Sequence, residues 1–129
     1  MYPMARARPI IVGELNVDGI ANIREIVYDI NQSIDQVQNA GDERIAGILK
    51  ELGMVFVRDP RLQKRVRRAI IESLRTITRE AALAPAERRL RVVELSLRYI
   101  SILLIANRDI LHHFEAHLED LRKFFGIPG

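Results

Sequence analysis

All three histidines of this 129-residue chain, His112, His113 and His117, fall between Leu111 and Leu118. His113 and His117 stand four apart, a spacing that sets two imidazoles on one face of a helix, where they could share a metal ion. Two imidazoles do not complete a zinc shell, Glu115 falls elsewhere on the helix, and the heptad pattern sets both histidines outside the apolar seam. The pair reads as solvated, with no metal and no cofactor expected. The chain has no Cys, which excludes disulfide frameworks, thiolate metal sites and thiol catalysis, and points to a reducing, cytoplasmic compartment. A phosphate-cradling Gly-rich loop, an HExxH pair and an EF-hand loop are equally missing from the sequence.

A second constellation surrounds the histidines. Asn107-Arg108-Asp109-Ile110-Leu111-His112-His113 contains an Arg, a polar residue, three intervening residues and a His, and it resembles the R-polar-x3-H motif of the HEPN ribonuclease superfamily. Those proteins are small helical bundles whose dimers bring two such motifs together and cleave RNA without metal. The resemblance implies His113 as general acid or base, Arg108 as the group that binds the scissile phosphate, and Asp109 as the polar partner that orients them. The match covers six residues, and Glu115 stands where many members carry a Tyr.

Charge is unevenly spread. Residues 1–57 carry a net −3, residues 58–98 a net +7 and residues 99–129 a net −1. Arg61, Arg65, Arg68, Arg75 and Arg79 form one stripe, interrupted by Glu72. It can pair with acidic groups of the first helix such as Glu25, Asp29 and Asp35, or serve as a basic face for RNA or another polyanion. No aromatic interleaves the stripe, so nucleic-acid contact there would be phosphate-dominated and weakly sequence-specific. Arg outnumbers Lys seventeen to three, a bias suited to bidentate phosphate or carboxylate contacts.

The elements that must position these groups follow from periodicity. With 48% apolar and 29% charged residues the chain should fold, and its length suits one domain. Pro3, Pro9, Gly13 and Gly19 keep residues 1–19 out of a helix, and Gly13-Glu14 between Ile10-Ile11-Val12 and Leu15-Asn16-Val17 suits a short hairpin or extended arm. Ile20, Ile23, Val27, Ile30, Ile34 and Val37 recur three and four apart and predict a helix that ends at Asn39-Ala40-Gly41. Asp42 would cap a second helix through Ile45, Ile48, Leu49 and Leu52, where Gly53 offers a stop and residues 54–57 form either a final turn or a short extended plug. Asp59-Pro60 reads as the start of a third, reaching about Leu83. Leu90, Val93, Leu97, Ile100, Leu104, Asn107, Leu111, Phe114, Leu118, Leu121 and Phe125 then alternate three and four apart without a slip, up to Gly126 and a short tail over 126–129.

If unbroken from Pro85 to Phe125, this last helix would be about 60 Å long. Asn107 would then be a register pin inside its seam, or else the cap of a new helix starting at Arg108. Short connections favour antiparallel neighbours. The expectation is an all-α, antiparallel four-helix bundle over 20–125 with a long heptad-patterned C-terminal helix and an N-terminal arm. Leu97, Leu104, Asn107, Leu111, Phe114 and Leu118 are its candidate interface residues. No run reaches the roughly 20 apolar residues of a spanning helix. The sequence thus suggests a non-catalytic interaction or assembly module that forms a homo-oligomer, with a metal-independent ribonuclease as the alternative.

Overall fold

The computed structural model describes residues 9–10 and 20–128, so the arm expected over 1–19 lies outside the described residues except for Pro9 and Ile10. Five α-helices follow: α1 (Ile20–Asn39), α2 (Glu43–Arg58), α3 (Lys64–Ala82), α4 (Leu90–Leu103) and α5 (Arg108–Phe125), with a single 3-10 turn at Pro85–Glu87. The described residues contain no strand. α3 packs against α1, α2 and α4, while α5 lies on α2 and α4, an all-helical arrangement compatible with a bundle. No described helix is long and apolar enough to cross a membrane.

The β-branched seam of α1 faces inward as its spacing predicts: Ile23, Val27, Ile30, Ile34 and Val37 are all buried. Its stop is also the one expected. Gly41 takes φ 98°, which bends the chain so that the Asp42 N–H bonds back to the Val37 carbonyl at 3.2 Å.

Gly53 does not end α2: residues 54–57 continue the helix rather than forming an extended plug, and it runs on to Arg58 and buries Phe56 and Val57. The glycine serves a close approach instead. A Cβ at Gly53 would stand 2.2 Å from Cδ1 of Ile10, whose side chain seals this part of the core. The Asn31 amide holds the same residue by both backbone groups, accepting from the Ile10 N–H at 3.0 Å and donating to its carbonyl at 2.9 Å. One polar side chain on α1 thus satisfies both backbone groups of Ile10.

Asp59-Pro60 does not open the third helix either. Asp59 accepts from the Arg61 backbone N–H at 3.0 Å and from its guanidinium, which closes a turn, and α3 begins only at Lys64. The carbonyls exposed where α2 ends are covered by Arg67, which is buried and donates to the carbonyls of Phe56, Val57, Asp59 and Leu62 at 2.7–3.0 Å. Arg88 repeats the device at the end of α3, donating to the Ala81 and Leu83 carbonyls while its guanidinium lies 4.5 Å from the Phe124 ring centre. The preference for Arg over Lys is therefore partly structural: a planar fork can serve several carbonyls at once.

The expected long C-terminal helix is two helices. The chain bends through Leu104 to Asn107, with the Asn107 N–H bonding to the Leu104 carbonyl at 2.8 Å, and α5 starts at Arg108. The unbroken three-and-four alternation does not betray the bend, because Leu104 is fully buried within it and keeps the apolar period intact. Asn107 is the N-cap residue by position, yet its side chain makes no capping bond. It pins no helical register, since no helix passes through it.

Candidate functional site

The face where α5 lies against α2 carries a row of polar contacts that includes His113, His117, Asp109 and Arg61. Contacts run along this face in opposite order on the two helices. Arg44 of α2 meets Asp120 at 2.9 Å near one end, and Arg61, just beyond α2, meets Asp109 at 3.1 Å near the other. Between them Oε2 of Glu51 lies 2.8 Å from Nε2 of His113 and 3.0 Å from Nε2 of His117. Beneath this row the buried Phe56 and Phe114 rings pack with centroids 6.2 Å apart and fix the spacing of the helices.

The four-residue spacing of His113 and His117 does place both rings on one face, edge to face at 5.5 Å, while His112 is exposed. Sequence spacing could not find Glu51. It is one of two carboxylates on α2, with Glu43 in the first turn, and only the docking of α5 makes it the neighbour of the imidazoles. The His117 hydrogen bond, helped by the proximity of both imidazoles, holds the Glu51 carboxyl below its ordinary range against the opposing effect of desolvation. The three residues offer ligand-type atoms that all lie within 4.8 Å of one another.

Arg108, Asp109 and His113 are not gathered into one cluster by contacts within the chain. Arg108 is exposed in the first turn of α5, Asp109 is engaged by Arg61, and His113 turns its Nε2 to Glu51. The arginine stripe is divided as well. Arg61 pairs with Asp59 and Asp109 in the turn before α3, Arg68 stands 4.0 Å from Glu72, and Arg79 pairs with Asp29 of α1. Arg65 and Arg75 have no ion pair among the described residues, so the free positive surface is much smaller than five arginines suggest.

Of the candidate interface residues, Leu97, Leu104 and Phe114 are buried in the chain's own core, and Asn107, Leu111 and Leu118 are half-buried. The apolar surface that remains exposed is a different stripe, on the outer side of α4. Leu95, Tyr99 and Ile102, followed by Ile105, are 53%, 48%, 64% and 71% exposed. Leu95, Tyr99 and Ile102, with Val92 and with Ser73 and Thr76 of α3, border a shallow groove of about 580 Å³. The sequence pattern hid this stripe because α4 is apolar on two sides, and the longer inner seam dominated its periodicity.

No protein-family model matches the chain, and no curated protein or solved structure matches it.

Proposed function

We propose that this domain is a non-catalytic, self-associating interaction module in which a second copy of the chain covers the outer stripe of α4. The observation that carries this reading is the exposure of Leu95, Tyr99, Ile102 and Ile105 together on one short stretch. A contiguous apolar patch of this kind is uncommon on a protein that works alone. The occupant is argued from the spacing. Val92, Leu95, Tyr99 and Ile102 lie three, four and three apart, an order that reads the same in both directions. Two copies of α4 laid antiparallel about a two-fold axis would set Val92 against Ile102 and Leu95 against Tyr99, so the stripe is its own complement. Glu94 and Arg98 on its flank supply both signs of charge to the rim. Within each copy the short connections favour an antiparallel bundle as the rigid support.

Light scattering tests it. The wild-type chain is expected to show a solution mass above the 14.8 kDa of one copy. Leu95→Glu combined with Ile102→Glu should bring the mass down to one copy with unchanged helical circular dichroism, since both side chains are exposed. A wild-type protein that stays at one copy at high concentration would sink the reading.

One observation favours the ribonuclease as a second reading. The bend at Asn107 puts Arg108 and Asp109 in the first turn of α5, where unpaired backbone N–H groups assist anion binding. Cleavage of labelled RNA in EDTA, lost in both Arg108→Ala and His113→Ala, would establish it over the first. Absence of cleavage by the wild-type chain would remove it.

A further inference from the structure

We propose that Glu51, His113 and His117 form a binding site for a divalent transition-metal ion of the zinc class, which clamps α5 to α2. This goes beyond the interaction reading and stands whether or not the chain self-associates.

Hydrogen-bond accounting is the first argument. Two imidazole nitrogens are aimed at one carboxylate oxygen, and only His117 makes a directed hydrogen bond to it, at 3.0 Å. Nε2 of His113 is sealed from solvent and makes no directed hydrogen bond, although Oε2 of Glu51 is 2.8 Å away. A buried ring nitrogen in that condition is costly. A cation among the three atoms resolves the competition: each imidazole gives the lone pair of Nε2 and keeps its proton on Nδ1, and the carboxylate gives Oε2.

Distance is the second. Zinc binds imidazole nitrogen and carboxylate oxygen at 2.0–2.2 Å in tetrahedral order, which sets neighbouring donors roughly 3.3 Å apart. The two nitrogen–oxygen distances, 2.8 and 3.0 Å, need to open by only a few tenths of an ångström. Exposed Glu51 on its flexible stem can supply that shift, and rotation of the two imidazoles can bring their nitrogens, which lie within 4.8 Å of each other, to the same spacing. The buried Phe56–Phe114 packing beneath the row holds the helices in place, so little ordering remains for the ion to impose.

The donor set chooses the ion. Two imidazoles and one carboxylate suit zinc and its neighbours, whereas magnesium and calcium demand oxygen shells. Three protein ligands at a partly exposed position leave the fourth site to water, the pattern of zinc centres that keep an open position.

The test uses the full chain without a histidine tag. Calorimetric titration with zinc is expected to give one ion per chain, cobalt should develop the visible absorption of a tetrahedral N/O site, and zinc should raise the melting temperature. Glu51→Gln and His117→Ala should each weaken binding at least tenfold. His112→Ala, at the exposed neighbouring position, should bind as the wild type does, and so should the Leu95→Glu/Ile102→Glu variant, which keeps this site separate from self-association. No saturable binding by the wild-type chain would overturn the proposal. Full affinity in Glu51→Gln and His117→Ala, or equal weakening by His112→Ala, would overturn it as well.

Discussion

Replacing Arg67 by methionine is expected to destabilise the domain by about 3–5 kcal/mol and to lower its melting temperature by roughly 10–20 °C. Arg67 is buried and serves four carbonyls, two in the last turn of α2 and two in the turn that follows. Methionine fills a similar volume but donates nothing, so carbonyls sealed from water lose their partner, each at a cost of about 1–3 kcal/mol that is only partly additive. A positive charge beside the C-terminus of α2 is lost too, where it offsets the helix dipole. Arg67→Lys should recover less than half the loss, because one ammonium cannot span a fork that reaches from Phe56 to Leu62. Urea unfolding of the three proteins decides the matter: a lysine variant as stable as the wild type would show that charge alone, not the fork, closes the end of α2.

Arg67 also marks where sequence reading ran out. Its spacing put it beside the basic stripe without distinguishing it, since nothing local says that one arginine of α3 will turn inward toward a preceding helix. The same holds for Gly53. Read along the chain it is a stop; in space it is the landing place of Ile10, and that relation spans a segment with no periodicity of its own. By contrast α1 was legible from end to end, because a seam of β-branched residues and a glycine at its stop agree locally with the fold. The bend after Leu103 was only half legible: Asn107 offered the start of a new helix at Arg108 as one of two readings, and α5 does start there. No Gly or Pro marks it, and buried Leu104 continues the apolar rhythm through it. At the site, the histidine pair is a local signal that survived folding, whereas Glu51 is a tertiary one.

Acid is expected to weaken the fold through Glu80, and Glu80→Gln should remove part of that sensitivity. Glu80 is buried, 1% exposed, and accepts from the Arg89 backbone N–H at 2.6 Å and from its guanidinium at 2.6 and 3.0 Å. It thereby satisfies the entry to α4, whose N-cap residue is Arg89. Burial alone would raise this carboxyl, but the Arg89 bonds and charge outweigh it and hold Glu80 below its ordinary value of 4.5. A carboxyl depressed in the folded state binds its proton more readily when unfolded. Its stabilisation is therefore complete above the ordinary value and disappears as pH falls through the depressed one. Glutamine keeps the shape and one acceptor but not the charge, so Glu80→Gln should cost about 2 kcal/mol at neutral pH. The difference between wild type and variant should then narrow steadily below the ordinary carboxyl value. Glu51, Asp59 and Asp120 are also depressed by their partners and remain in both proteins, so a residual slope is expected in the variant. Denaturant unfolding of both proteins from neutral to acid pH reads this directly: two stability curves that stay parallel would show that Glu80 holds no charge that folding favours, and that α4 is anchored by packing of Val93 and Leu97 alone.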